Sequence, residues 1–512
     1  MPPIQVADTL SRRKVELVPL EPGHVRLYAC GPTVYGPLHL GNARPLVTFD
    51  LVTRHLRARG LRVTYVRNIT DVDDKIIRRA HELGEPTQAL TARFTTLFQD
   101  DARRLGCLDP DHEPRVTDHV GEIVALIQRL IDRGVAYAAA GDVYFSVGAF
   151  PAYGELSHQP LADLQAGARV EVGDKKRAPL DFALWKAAKP GEPSWPSPWG
   201  DGRPGWHIEC SAMAEKLLGE TFDLHGGGVD LIFPHHENER AQSQGARGAG
   251  TFAKLWMHNG FVNFNGGKIS KSDESAKVLF DRAFRLGVLF TAHGGEALRW
   301  FLLSSSYGNP INFEVSTDGD DLATARLIFP GLVDAERRLA YGYETLLRLR
   351  DQLAVGKPAA QSDGDSTLEV GAAPGWLERM RLALDDDFNS ALALAELGEA
   401  LSMTNRVLDG KVDAPKDVRR RTLERLDREL TAAAANLGLL AADPSAWLAE
   451  HRARRCAALQ IDVAAVDAKI AARAEARKAK DFAAADRIRA ELAAGGVEIM
   501  DTPRGTTWRV AG

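Results

Sequence analysis

Apolar stretches long enough to cross a bilayer are missing from this sequence; none approaches the roughly eighteen residues a spanning helix needs. The first residues, M-P-P-I-Q-V-A-D-T-L-S-R-R-K, hold no apolar signal core, so a cytoplasmic protein is expected. Cysteine is scarce: Cys30, Cys107, Cys210 and Cys456 are too scattered for a disulfide framework, which leaves thiolate or metal chemistry for any they share. A strong charge of one sign is also lacking, since the formal net charge of −5 carries no overall nucleic-acid signal. The phosphate-loop fingerprints G-x-G-x-x-G and G-x-x-x-x-G-K-[ST] do not occur in the stretch around His39. No G-x-S-x-G elbow occurs anywhere, so H-G-G-G at 225–228 is not a lipase oxyanion loop. H-H-E-N-E at 235–239 is not H-E-x-x-H, so a metalloprotease would lack its motif.

What is present is a chain of 512 residues, 45% apolar and 26% charged, enough for two to four domains with full cores. It is organised around residues 30–42, C-G-P-T-V-Y-G-P-L-H-L-G-N. Val25, Leu27 and Ala29 alternate with Arg26, Tyr28 and Cys30 as in a strand, which Gly31 and Pro32 stop. Asn42 is the expected cap of a helix running to about Arg59, with Pro45 in its first turn. Strand, glycine loop and helix N-terminus make an anion site, with the His39 imidazole at its mouth as a donor. A second strand at 62–69 and a helix from about Asp71 imply a parallel crossover, the start of a doubly wound sheet. Ligands then bind beyond the strand ends, where Cys30 and Thr70 fall. Thr70 followed by Asp73 reads as a helix cap, and Asp71, Asp73 and Asp74 as complements to a helix dipole rather than a Mg²⁺ site.

Residues 81–140 read as mostly helical, with Val120, Ile123, Val124, Ile127, Leu130 and Ile131 forming one apolar face. From Gly141 to about Gly205 short β-like pieces suit an inserted subdomain, whose Arg169, Lys175, Lys176, Arg177 and Lys186 can approach RNA phosphates but read first as a solvated face. Next come a helix after Gly205, a glycine turn at 225–230, and a helix on which His235 and Glu239 share a face at the i, i+4 spacing of metal ligands. His236 leaves open which imidazole ligates. Lys268 and Lys271 flank serines behind Gly266 and Gly267 and can clamp a polyphosphate. Residues 297–303 read as a buried helix. A separate helical bundle is expected from about Asp318 to Leu440, interrupted by a loop at roughly 355–375, and a short linker follows. A charged helical hairpin at 466–492 and two short strands close the chain. Residues 451–512 hold 12 Lys and Arg against 8 Asp and Glu, a mildly basic tail on an acidic body, as local contact with a polyanion would require.

H-L-G-N followed by K-I-S-K-S resembles the paired H-I-G-H and K-M-S-K-S signatures of class I aminoacyl-tRNA synthetases. Collinear strings over nearly the whole chain, among them Y-A-C-G-P-T-V-Y, R-N-I-T-D-V-D-D-K-I, R-P-G-W-H-I-E-C-S-A-M, F-P-H-H-E-N-E and D-D-D-F-N, resemble the cysteinyl-tRNA synthetase family. The resemblance implies an α/β fold: a Rossmann-like doubly wound parallel-sheet catalytic domain over 1–317, with an insertion at about 120–205 and a lysine-loop region at about 255–317. A tRNA-binding helical bundle over 318–440 and a small C-terminal α+β anticodon module over 455–512 would follow. It implies Zn²⁺ on Cys30, Cys210, His235 and Glu239, and a cysteine pocket lined by Gly31, Thr33, Thr70, Trp206 and His225. ATP with Mg²⁺ would meet His39, Asn42, Gly226, Gly227, Asp230, Lys268 and Lys271, of which His39, Asn42 and the two lysines are the catalytic set. Arg477, Lys478 and Lys480 are the implied RNA contacts, and ATP, L-cysteine and tRNA(Cys) the implied partners.

Two positions depart from the family pattern. Asn42 replaces the last His of H-I-G-H, so a neutral amide stands where a chargeable ring would. Asp273-Glu274-Ser275 follows the lysines where L-G-N is more usual, adding negative charge there. Two other readings compete: a paralogous ATP-dependent ligase that joins cysteine to an amino sugar, and a degenerate tRNA- or zinc-binding protein. The bundle and basic tail argue against the first, and the intact His39, lysines and ligand positions against the second.

Overall fold

A computed structural model describes residues 3–160, 175–264, 278, 281–319, 326–355, 367–371, 373–502 and 505–510. An antiparallel hairpin, β1 (Gln5–Asp8) and β2 (Arg13–Glu16), precedes the expected crossover of β3 (His24–Ala29), α1 (Leu40–Ala58) and β4 (Arg62–Arg67). β3 and β4 are parallel, with His24 opposite Arg62 and Ala29 opposite Arg67. Every β3 residue but Arg26 is buried, as in a strand covered on both faces. α1 starts earlier than the sequence indicates: His39, not Asn42, is its cap. Pro45 therefore lies inside the helix, where its ring leaves the Gly41 carbonyl without the usual i−4 donor.

α2 (Asp74–Leu83) is capped by Asp73, whose carboxylate accepts from Lys75 N at 2.8 Å, so the Thr70 cap reading is also corrected. The three acids there have separate partners. Asp71 accepts from Thr117 Oγ1 at 2.7 Å, and Asp74 pairs with Lys186 at 2.6 Å and with Arg203. α3 (Thr87–Arg104) and α4 (Val120–Asp132) follow. On α4, Val120, Ile123, Leu126, Ile127 and Leu130 are buried, while Val124 and Ile131 are only half-buried. The insertion is a four-stranded antiparallel sheet in the order β5 (Ala136–Ala139), β6 (Asp142–Phe145), β7 (Phe182–Ala187), β8 (Gly202–Pro204). Three of its cations bond within the protein: Lys175 pairs with Asp142 at 2.9 Å, Lys186 with Asp74, and Arg177 lies 4.0 Å over the Tyr137 ring. Arg169 lies outside the described residues.

α5 (Trp206–Leu218) leads into β9 (Thr221–Gly228), so His225 and its glycines lie in a strand and not in the expected turn. A kinked segment, Ile232–His236, opens into α6 (Glu237–Arg247), and β10 (Phe252–Asn259) completes the parallel sheet in the order β10-β9-β3-β4. Chain order reverses between β9 and β3, which makes their C-terminal ends a topological switch point. β11 (Val262–Phe264) pairs in parallel with β12 (Ile311–Phe313), with α7 (Leu286–His293) and α8 (Gly295–Leu303) between them.

The region after 315 forms an antiparallel pair, β13 (Ser316–Thr317) and β14 (Leu327–Ile328), so the bundle begins at Pro330 and not at Asp318. Its helices are α9 (Pro330–Ala354), α10 (Trp376–Asp385), α11 (Ser390–Leu408) and α12 (Lys416–Leu437). The stretch after Leu440 holds a fifth, α13 (Pro444–Leu459), whose Trp447 stacks on Tyr343 with ring centroids 4.4 Å apart. The tail is the expected helical hairpin, α14 (Val463–Lys478) and α15 (Phe482–Ala494), followed by antiparallel β15 (Val497–Thr502) and β16 (Gly505–Val510). Among the described residues no helix is long and apolar enough to cross a membrane.

The bundle is not a separate body. One hydrophobic core runs from the α1 face of the sheet (Leu27, Phe49, Leu56) through Leu298 and Phe301 of α8 into Leu339, Leu401 and Leu430 of the bundle. A second core fills the opposite face of the sheet and the insertion, and a small third, with Cys456, Val466, Leu492, Val497 and Trp508, holds the tail. Polar ties cross the first boundary. Arg299 is fully buried, pairs with Asp50 of α1 and donates to the carbonyl of Leu437 at 2.8 Å. His55 and Arg59 both meet Asp385. Arg299→Ala leaves the buried Asp50 carboxylate to Arg54 and the Leu108 N–H alone and takes the donor from the Leu437 carbonyl, which should cost about 3 kcal/mol, read as a fall of roughly 3 °C in unfolding temperature by calorimetry.

Candidate active site

At the switch point, the Cys30 N–H donates to the Gly226 carbonyl at 3.1 Å, which fixes the first residue beyond β3 against β9. Gly31 then passes so close to the neighbouring chain that a Cβ would lie 1.7 Å from the Asn68 carbonyl oxygen. Its N–H donates to Asn68 Oδ1 at 2.9 Å. Thr33 bridges to Thr70, and Val34 N donates to the Thr70 carbonyl at 3.2 Å. The loop so pinned delivers His39 to the start of α1. There Asn42 Oδ1 accepts from His39 N at 3.1 Å, the reach-back half of a capping box. The amide oxygen is thereby engaged, and the amide N–H groups are what Asn42 has left to offer a ligand.

The four sequence-predicted metal ligands converge. Cys30 Sγ is 3.7 Å from Cys210 Sγ and 3.5 Å from Glu239 Oε1, and His235 Nε2 is 2.9 Å from that same oxygen. A tetrahedral site with sulfur bonds of roughly 2.3 Å has sulfur–sulfur edges of roughly 3.8 Å, which the thiol spacing matches. Cys30, His225, His236 and Glu239 form an overlapping second group, with His236 Nε2 3.3 Å from Cys30 Sγ. The first group fits a metal better because it brings two sulfurs, and because the second includes His225, whose two ring nitrogens are both already engaged, by the Tyr28 carbonyl and by Glu239. His236 Nδ1 is 2.7 Å from His258 Nε2, and His225 Nε2 is 2.8 Å from Glu239 Oε2.

The electrostatics of the cluster follow from burial. The Cys30 thiol hydrogen bond and the His235 ring bring the Cys210 thiol down to about 6. Burial, reinforced by Cys210 and Glu239, pushes the Cys30 thiol well up. Burial works against charge on His235, yet Glu239 and Cys210 outweigh it and raise the imidazole to about 10. Glu239 is held well below the carboxylate range because His225 and His235 overcome its burial. Burial keeps His207, His236 and His258 uncharged. Buried anionic donors thus surround one cationic ring, an arrangement a divalent ion replaces with the ring deprotonated.

The expected cysteine-pocket residues ring this cluster. Trp206 stacks on His235 at 4.3 Å, and the buried Thr70 hydroxyl donates to Glu209 Oε2 at 3.2 Å. His225 stands behind Glu239 and bonds the Tyr28 carbonyl through Nδ1 at 3.1 Å, so within the described residues it orients the carboxylate. His236, the alternative imidazole, and Asn68, His207, Glu209 and His258, which the sequence does not single out as site residues, complete the surroundings. Asn68, His207, Glu209 and His236 leave a trace as members of the conspicuous strings, and His258 leaves none.

On the nucleotide side, a Cβ on Gly226 would meet the Phe49 ring of α1 at 2.1 Å, and one on Gly227 would come 3.0 Å from the His236 ring. These glycines let helix and ring close on the strand, and Asp230 is exposed just beyond it. Lys268, Lys271, Asp273 and Glu274 lie outside the described residues. The base of their loop is tied to α1 by Arg44, which donates to the carbonyls of Phe261 at 2.7 Å, Tyr307 at 3.1 Å and Asn309. Burial lowers that guanidinium to about 10. Far away in the tail, Arg477, Lys478 and Lys480 are exposed; Arg477 pairs with Asp501 at 2.8 Å and Lys478 with Glu475 at 2.6 Å.

The family described as "tRNA synthetases class I (C) catalytic domain" matches residues 16–319. A DALR domain matches 379–441, and a "Cysteinyl-tRNA ligase anticodon binding domain" matches 463–509. A methionyl-tRNA synthetase of Mycobacterium tuberculosis solved with methionyl-adenylate superposes with a TM-score of 0.57 at 17% identity, over 83% of this chain and 92% of that one. A leucyl enzyme from Agrobacterium radiobacter gives 0.55 at 13%, over 82% of this chain and 85% of that one. Fold and family model together define the class as a class I aminoacyl-tRNA synthetase. A protein named cysteine–tRNA ligase from Anaeromyxobacter dehalogenans is 51% identical over 99% of both chains, and one of that name from Geobacter sulfurreducens is 46% identical over 99% of both. The chain belongs to the cysteine–tRNA ligase family.

The two overlapping donor groups predict different mutant behaviour. His235→Asn should weaken metal binding by more than the roughly 10–100-fold that loss of an outer partner costs, whereas His236→Asn should stay within that range. Metal content after dialysis against a graded chelator reads the difference.

Proposed function

We propose that the chain activates L-cysteine with ATP to cysteinyl-adenylate and passes the cysteinyl group to the 3′ end of tRNA(Cys), with a Zn²⁺ site selecting cysteine over serine. The observation that carries this reading is the meeting of Cys30, Cys210, His235 and Glu239 donor atoms at the sheet's switch point, within 4.8 Å of one another. These four residues would hold the ion. Bound there, zinc lowers a thiol's pKa from roughly 8.5 and favours sulfur over a protonated alcohol. Without that preference a pocket separates such near-isosteres by only about 10²-fold.

The chain's own groups do the rest. Trp206 and Thr70 wall the amino-acid pocket beside the metal ligands, and His225 keeps the Glu239 carboxylate turned toward them. Activation joins the cysteine carboxylate oxygen to the α-phosphorus of ATP and releases pyrophosphate, so negative charge builds on phosphoryl oxygens. His39, the Asn42 amide and the N-terminus of α1 are donors fixed at that position, and Lys268 and Lys271 offset the charge of the leaving pyrophosphate with Mg²⁺. No covalent enzyme intermediate is needed. Asp230 and the close-packed Gly226 and Gly227 shape the nucleotide floor.

We assign the bundle and the 463–509 module to tRNA, with Arg477, Lys478 and Lys480 as contacts, and place the protein in the cytoplasm, where its free thiols stay reduced. Cys210→Ser should abolish cysteine-dependent ATP–pyrophosphate exchange and zinc content together; full exchange without zinc would refute the site. Because α13 packs on the bundle, a cut that tests the tail belongs after Gln460. That truncation should lower charging of tRNA at least roughly tenfold while exchange stays near wild type, since only charging uses an RNA surface.

A further inference from the structure

Outside the thiol site, the edge of the sheet carries a second concavity on the same, ligand-binding side. The β1–β2 hairpin folds over the end of β10: Thr9 N donates to the Trp256 carbonyl at 2.9 Å, and Thr9 Oγ1 lies 2.7 Å from His258 Nδ1. Between the hairpin, His258 and Tyr307 lies a pocket of about 360 Å³. Its acids are engaged. Asp8 accepts from Ser11 N at 2.7 Å and from Trp256 N at 2.9 Å, and Asp387 from Ala7 N at 2.8 Å and from the Tyr307 hydroxyl at 2.6 Å. Lys14 is paired with Asp386 at 2.7 Å. That leaves Arg12 and Arg13, both exposed at the rim and without a side-chain partner among the described residues. Arg12 holds a φ of 55°, a backbone region that residues with a side chain rarely adopt and that recurs at ligand sites.

We infer that Arg12 and Arg13 receive backbone phosphates of the single-stranded 3′ end of the RNA substrate. Three considerations favour this anion. On the proposed reading the triphosphate sits at the α1 N-terminus beside His39, which leaves the pocket's cations for a different phosphate. His258 forms one wall of the pocket and contacts His236, which is 3.3 Å from Cys30 Sγ through Nε2, so the pocket lies two side chains from the thiol site. Guanidinium groups also fit phosphate oxygens two at a time, which makes arginine suited to fixing a flexible strand. The tail would hold the far end of the RNA and this pocket the reacting end, so an acidic body needs basic groups only where the RNA touches it.

The inference rests on the reading that the chain charges tRNA, which wild-type aminoacylation of tRNA(Cys) tests first. Given that, R12A/R13A should leave cysteine-dependent ATP–pyrophosphate exchange within about twofold of wild type, including its KM for ATP. It should raise the KM for tRNA about tenfold or more, and flatten the dependence of log KM on log salt by about 1.4, the share of two phosphate contacts to a single strand. R12K/R13K should recover most of the affinity. An RNA minihelix ending in the same single strand should lose affinity by the same factor as whole tRNA. Unchanged tRNA charging, an equal fall in exchange, or a rise confined to the KM for ATP would each overturn the assignment; the last would make the pocket a nucleotide site.

Discussion

A single backbone hydrogen bond, from the Cys30 N–H to the Gly226 carbonyl, governs the rest of the site. It holds the chain leaving β3 against the end of β9 where strand order reverses, and there a sulfur from residue 30 can meet one from residue 210. Each neighbouring feature depends on that junction. Gly31 has to be glycine because the Asn68 carbonyl occupies the space of a Cβ, and Gly226 because Phe49 occupies its own. Residues that look like parts of a nucleotide loop in the sequence are, in the fold, places where two backbones or a backbone and a ring approach too closely for anything larger.

The charge distribution follows from the same geometry. A carboxylate and two thiols drawn into a dry junction would oppose folding unless something positive joined them. His235 takes that part when protonated, while His207, His236 and His258 are kept neutral by burial and pass hydrogen bonds outward, as far as Thr9 on the N-terminal hairpin. The thiol site and the pocket under Arg12 and Arg13 are therefore joined by a line of uncharged rings.

Much of this was legible beforehand, and the exceptions have physical causes. The alternation of Val25, Leu27 and Ala29 with Arg26 and Tyr28 is enough to mark β3 although both its faces are covered, and the i, i+4 spacing of His235 and Glu239 survives any detail of the kink before them. Sequence alone puts the start of α1 at Asn42 because Asn is a good cap by type; in the fold it lies at the third helical position and reaches back to His39. His225-Gly226-Gly227-Gly228 suggests a turn because glycine usually marks one, whereas here tertiary crowding demands glycine within a strand. The bundle looks independent in the sequence for a similar reason. Periodicity reveals an apolar face but not what covers it, and α1 covers it from nearly four hundred residues away. The partners of Arg44, all of them carbonyls, leave no trace in a sequence at all.

That shared core has a bearing on how the chain is made. Arg54 on α1 meets the carbonyl of Ala435 across 381 residues, and the helices around it seal the same apolar face. On the ribosome the sheet's outer helix emerges long before its cover and must wait, uncovered, for the second half of translation, while the insertion can close its own antiparallel sheet within one short stretch. Chaperone demand during synthesis should therefore centre on α1 and its neighbours, although in the finished molecule they are among the least accessible.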